Sequence, residues 1–119
     1  MEIAYQFGFD AAHHFLHFPE GHPNRRLHGH SFQVEVGLTG EPDAATGFIA
    51  DFNDVERACR EVREQLDHRM LNEIPGLERP SLENLSRWIW RALAPRFPGL
   101  HRVTVSRASA GQRCTYLGD

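Results

Sequence analysis

The stretch His28-Gly29-His30-Ser31-Phe32-Gln33-Val34-Glu35-Val36-Gly37-Leu38 alternates: Phe32, Val34, Val36 and Leu38 take one parity, Ser31, Gln33, Glu35 and Gly37 the other. A period of two sends successive side chains to opposite faces of an extended chain, so this is a half-buried strand with one apolar face. His28 and His30 fall in the apolar parity, and Gly29 between them leaves the approach to both rings uncrowded.

Upstream, Ile3, Tyr5, Phe7 and Phe9 alternate with Ala4, Gln6, Gly8 and Asp10, a second strand of the same kind, and His13 continues its apolar parity. Residues 19–26 between the two strands are polar and contain proline and glycine, a connection rather than an element. Pairing the strands brings three neutral imidazoles to one side of a sheet. Three such donors with an open position suit a catalytic zinc ion, which polarises a carbonyl or acidifies a bound water, and so fit hydrolysis, aldol cleavage or carbon-acid chemistry. Nickel, cobalt and copper satisfy the same donors, and polar side chains at strand ends are the plainer alternative. His14 points away from the set by parity, and His17, His22 and His101 belong in or beside loops.

Downstream, residues 39–47 are dense in turn formers. Asn53 with Glu56 three residues on reads as a capping box, and Val55, Ala58, Cys59, Val62 and Leu66 recur at helical spacing behind it. Ser81 is a second N-cap candidate, before the apolar stripe Leu82, Leu85, Trp88, Ile89, Ala92 and Leu93, which Pro95 ends. Val103 and Val105, then Cys114 and Tyr116, make two closing strands joined across residues 108–112. The order is ββααββ, an α+β fold. Asp67-His68 at the end of the first helix has two readings: a carboxylate and imidazole poised as an acid/base relay, or a histidine favoured by the helix C-terminal dipole.

The 119 residues suit one domain, 1–119, so any site lies on it or between its copies. With 13 Lys and Arg against 16 Asp and Glu there is no basic footprint for nucleic acid. No apolar run could span a membrane and the N-terminus carries no leader pattern, so a cytoplasmic location is expected. Cys59 on the helical stripe and Cys114 on a late strand read as reduced, inert packing thiols rather than a disulfide.

Six ordered segments carry a resemblance: Phe9-Asp10-Ala11-Ala12-His13; Pro19-Glu20-Gly21-His22; Arg26-Leu27-His28-Gly29-His30-Ser31-Phe32; Thr46-Gly47-Phe48-Ile49-Ala50-Asp51-Phe52; Leu66-Asp67-His68; and Leu71-Asn72-Glu73-Ile74-Pro75-Gly76-Leu77-Glu78. Together they resemble the 6-pyruvoyl/6-carboxy-tetrahydropterin synthase family, nearest its bacterial 6-carboxy-tetrahydropterin synthases, over nearly the whole chain. The resemblance implies the tunnelling fold, a four-stranded antiparallel sheet with two helices on one face, usually assembled as a homohexamer with sites at interfaces. It implies Zn2+ on His13, His28 and His30, with Asp67 and His68 in an acid/base relay. It also implies a pterin-like substrate, 7,8-dihydroneopterin triphosphate, converted to 6-carboxy-tetrahydropterin in queuosine and deazapurine synthesis.

Two positions depart from that pattern. A catalytic cysteine is expected four residues before the His-Gly-His motif, where this chain has Asn24, whose amide cannot take up a proton in that way. Glu20 is the nearest carboxylate. A glutamate that anchors the pterin ring is expected after Val105, where Arg107 reverses the charge and presents donors to a donor edge. Arg107, and Arg25 and Arg26 beside the mouth, are candidates for binding an anionic group, against the alternative of solvated surface arginines. A divergent enzyme acting on another substrate, or a ligand-binding relative without turnover, therefore stands beside the synthase reading.

Overall fold

The computed structural model describes residues 1–119. β1 (Glu2–His13) and β2 (His28–Thr39) form a long antiparallel ribbon; α1 (Phe52–Leu66) and α2 (Leu82–Leu93) follow; β3 (Leu100–Arg107) and β4 (Gln112–Tyr116) close the chain. The sheet order is β1-β2-β3-β4, each pair antiparallel. The α+β reading and the ββααββ order hold.

The apolar parities read from the sequence all turn to the side that the helices cover. Phe9, Phe32, Val34, Val36, Leu38, Val103 and Val105 are buried there against Val55, Ala58, Cys59, Val62 and Leu66 of α1 and Leu82, Leu85, Ile89 and Leu93 of α2, in one continuous core. Each large apolar side chain sealed in this way contributes about 1.5–3 kcal/mol. The opposite face of the sheet is polar. There Arg102 bridges Glu2 at 2.8 Å and Glu35 at 3.2 Å, and Thr104 meets Thr115 at 2.9 Å.

The helix starts separate two cases. Ser81 caps α2 as expected, its hydroxyl accepting from the Asn84 amide at 3.1 Å. The cap of α1 is not Asn53. Asp51 holds the extended conformation of an N-cap, and its carboxylate accepts from the Asn53 amide at 2.8 Å, so Asn53 lies inside the first turn. His101 is exposed at the start of β3, beside the loop that precedes it. The last turn is a short 3-10 segment, Ala108–Ala110, with Gly111 left-handed at φ 68°, and Gln112 already belongs to β4.

What positions the site is a mismatch of strand lengths. β1 and β2 pair over their full 12 residues, but β3 reaches only from Gln33 to Leu38 of β2. The far end of the ribbon therefore overhangs the sheet. On its β1 side it is held by the segment after α1: His68 donates its amide to the Asp10 carbonyl at 2.7 Å, and Ala12 donates to the Arg69 carbonyl at 3.0 Å.

Candidate metal centre

The register carries the three histidines together at the overhang. His13 pairs directly with His28, and His30 stands opposite Ala11 one pleat inward, so all three rings share the apolar face. Gly29 has a sharper role than leaving the rings uncrowded: a Cβ there would lie 3.3 Å from the Ala11 carbonyl oxygen, so glycine lets the two strands close at this point. Ring centroids of His13 lie 4.6 Å from His28 and 4.9 Å from His30, and His28 to His30 is 5.0 Å. Phe15 and Phe32 pack against His13 at 4.7 and 6.0 Å, making an apolar wall.

The nitrogens converge. Nε2 of His13 and Nε2 of His28 are 3.0 Å apart, and one donor nitrogen from each of the three rings lies within 4.8 Å of the others. Two nitrogens on one tetrahedral zinc ion are about 3.3 Å apart, close to the His13–His28 spacing. His28 donates its Nδ1 hydrogen to the Arg26 carbonyl at 2.7 Å, which fixes the tautomer that leaves a lone pair on Nε2. Nδ1 of His13 lies on the side of its ring away from His28, and Nε2 of His30 is buried with no hydrogen-bond partner. An orphaned buried acceptor is costly, and a cation is a natural partner for it.

Electrostatics favour neutral rings. His13 is fully buried, and burial, helped by the neighbouring His28, His30 and Arg107, pushes its pKa down to about 4, with the Pro80 carbonyl acting weakly the other way. Burial, and then Arg107 and His28, also lower His30. Neutral imidazole is the metal-binding form.

Asp67 and His68 are not part of this cluster. They lie at the outer edge of β1 beside Asp10, where Asp67 is the C-cap of α1. Its carboxylate accepts from the Asp10 amide at 3.0 Å, from Arg63 at 3.2 Å and from Nδ1 of His68 at 3.0 Å. The Asp10 amide, then His68 and Arg63, hold its pKa below the usual carboxylate range. His68 adopts a left-handed φ of 60°, costing about 1–2 kcal/mol for a non-glycine residue, and its side chain is 79% exposed against 15% for Asp67. This backbone turns the ring back onto the carboxylate and leaves Nε2 facing outward. A cavity of about 550 Å³ is lined by His68 and His30 together, with Asp10, Gly29, Ser31 and Met70 among its walls.

The other candidates are dispersed. Asn24 is exposed in a 3-10 turn (Pro23–Arg25), where its amide donates to Nδ1 of His22 and its carbonyl accepts from Phe15. Glu20 is exposed on the same connection. Arg25 is a clamp rather than an anion site, donating to the carbonyls of Leu16 and Phe18, the latter at 3.0 Å. His22 stacks on Phe18 at 4.2 Å and His17 packs against the same ring, tilted, at 4.5 Å. Arg107, on the face that carries Val103 and Val105, is half-buried with its Nε unpartnered. Asn72 was not among the expected site residues; its side chain accepts from the His14 amide at 3.1 Å and donates to the His14 carbonyl at 3.0 Å, tying the end of β1 to the segment before α2. Its place within Leu71-Asn72-Glu73 was the available signal.

Residues 2–119 match the sequence pattern of the family described as 6-pyruvoyl tetrahydropterin synthase. The chain belongs to the 6-pyruvoyl tetrahydropterin synthase family. It is 39% identical over 106 residues to the 6-carboxy-5,6,7,8-tetrahydropterin synthase of Synechocystis, covering 84% of this chain and 81% of that protein. It is 36% identical over 97 residues to the dihydroneopterin monophosphate aldolase of Pyrococcus furiosus, covering 82% and 78% respectively. The structure of the Caenorhabditis elegans 6-pyruvoyl tetrahydropterin synthase superposes with a TM-score of 0.89 over 100% of this chain and 96% of that one, at 22% identity. These two relatives are named for different activities, a synthase and an aldolase.

Proposed function

We propose that this member of the family is a zinc-dependent lyase of the 6-carboxy-tetrahydropterin synthase type, acting on 7,8-dihydroneopterin triphosphate in queuosine and deazapurine synthesis, in the cytoplasm. The observation that carries the reading is the convergence of His13, His28 and His30 on an apolar wall, with Nε2 of His30 buried and unpartnered. Bound there, zinc would supply Lewis acidity to a carbonyl or hydroxyl oxygen of the substrate.

The chain's own residues supply the rest. Asp67 accepts from Nδ1 of His68 and so leaves Nε2 as the base, exposed to the cavity it shares with His30. Asn24 offers hydrogen bonds to substrate but no proton transfer, which puts the proton traffic on His68. The outer edge of β1 before Asp10 and the outer edge of β4 have no strand partner, consistent with a homo-oligomer, a hexamer in the family manner, formed edge to edge with sites at interfaces.

Arg107 and Asn24 favour a second reading, in which the metal and the Asp67-His68 pair serve a different substrate. A mass-spectrometric assay of zinc-replete protein with 7,8-dihydroneopterin triphosphate separates the two. Carboxy-tetrahydropterin from the unaltered chain, lost in His28→Ala, supports the first. Product only from the Asn24→Cys, Arg107→Glu double variant supports the second, and no product from either, with or without zinc, refutes the synthase assignment.

A further inference from the structure

Arg107 ends β3 opposite Gln112 of β4, and its side-chain Nε has no hydrogen-bond partner. Antiparallel pairing sets Gln33 against Ser106 and Val34 against Val105, and Arg107 follows just past the last of these pairs, at the end of the β2–β3 ladder nearest Phe32. Alternation gives it the face of Val103 and Val105 on its own strand and of Phe32 and His30 on β2. The Phe32 ring is 5.7 Å from that of His30 and 6.0 Å from that of His13, and the Arg107 charge is near enough to be among those acting on both His13 and His30.

Its surroundings do not neutralise it. Nε is buried without a partner, and Arg107 takes part in none of the ion pairs of the chain. Glu83, in the first turn of α2, is the one carboxylate whose field favours its charge, from beyond ion-pair distance. The three-histidine cluster contains no acidic member. A divalent ion held there by neutral imidazoles would keep its full charge, and with Arg107 beside it the pocket would carry a net charge of about three in a partly desolvated setting. Such a charge would favour an anionic ligand.

We propose that Arg107 is the anion-recognition residue of this centre: the ligand that reaches the three-histidine face carries an oxyanion, a carboxylate or a phosphate, gripped by the Arg107 guanidinium while a neighbouring oxygen of the same ligand faces the metal. This deepens the metal-centre reading above and rests on it. The planar fork of arginine matches two oxygens at once, and the apolar wall of Phe15 and Phe32 strengthens the attraction by excluding water. Selection is then for the charge of the ligand as much as for its ring.

The test is calorimetric titration of malonate and of inorganic phosphate into zinc-loaded and metal-free protein at low salt. The native chain is compared with Arg107→Met and Arg107→Lys, after zinc content and helical signal are measured for each. The zinc-loaded native protein is expected to bind one of the two probes; which one identifies the oxyanion. Arg107→Met should weaken that binding by about tenfold or more, and Arg107→Lys by less, both at unchanged zinc content. Residual, Arg107-dependent binding by metal-free protein supports the anion site even if zinc uptake fails, so a failed metal assignment is told apart from a failed anion assignment. Equal affinity in native and Arg107→Met proteins, or no binding of either probe to the native chain, overturns the proposal.

Discussion

Acidification of the metal-free protein should remove stability through His13. An unfolded histidine titrates near 6.5, whereas burial and the neighbouring His28, His30 and Arg107 push His13 in the fold down to about 4. Above pH 6.5 the ring is neutral in both states and costs nothing. Between 6.5 and about 4 the unfolded chain takes up a proton that the folded one refuses, so stability falls as pH falls, and below about 4 this contribution levels off. At about 1.4 kcal/mol for each tenfold in proton affinity, the gap amounts to about 3 kcal/mol. That is a substantial fraction of the roughly 5–15 kcal/mol that holds a domain of this size. Urea unfolding of chelator-treated protein at pH 7.5 and pH 4.5 measures it, with His13→Phe as the comparison, since phenylalanine keeps an apolar ring among Phe15 and Phe32 but cannot titrate. The native chain should lose about 2–3 kcal/mol more than His13→Phe between the two pH values. Equal losses would refute the reasoning, because the remaining titrating groups are common to both proteins.

Three further outcomes are expected. Leu85→Ala, at a fully buried position on the inner face of α2, should cost about 2–5 kcal/mol in urea unfolding at pH 7.5. A loss under 1 kcal/mol would mean that α2 is not seated as described. Asp67→Asn removes the acceptor that aligns His68 and should lower turnover of any substrate of this site by about 10²-fold or more, with zinc content unchanged; zinc loss in step with activity would place Asp67 in support of the metal instead. Cys59, buried and pushed up to about 12 by that burial, should resist a thiol reagent at pH 8 in the folded protein and react once urea is added. Rapid labelling of Cys59 in the folded chain, located by peptide mapping, would contradict its core position.

The legible part of the fold was the part with a period. Phe32 to Leu38 and Ile3 to Phe9 announced half-buried strands, and the parity of His13, His28 and His30 announced that one face would carry both core and imidazoles, because alternation is a geometric property of an extended chain. The stripes from Val55 and from Leu82 announced both helices. What did not show was whatever depends on one conformation at one residue. Asn53 looked like a cap because capping-box chemistry is short-range, yet Asp51 two residues earlier holds the extended conformation and takes the role. The overhang of the ribbon depends on where β3 stops pairing, which no pattern within β2 records. The left-handed turn at His68, the clamp made by Asn72 and the use of Arg25 to bind carbonyls arise from tertiary contacts. The lone state of the Arg107 guanidinium is a property of its neighbours, and only the fold reveals them.

The most direct test of the metal centre is the zinc content of the purified chain after dialysis against a weak chelator, by inductively coupled plasma mass spectrometry, for native, His28→Ala and His30→Ala proteins whose helical signals match. Because His28 and His30 are half-buried at the overhang rather than in the core, both variants should fold. The account predicts one zinc ion per native chain and a large loss of zinc from each variant. Zinc absent from the native protein when it is refolded with excess metal, or retained undiminished by both variants, would contradict it.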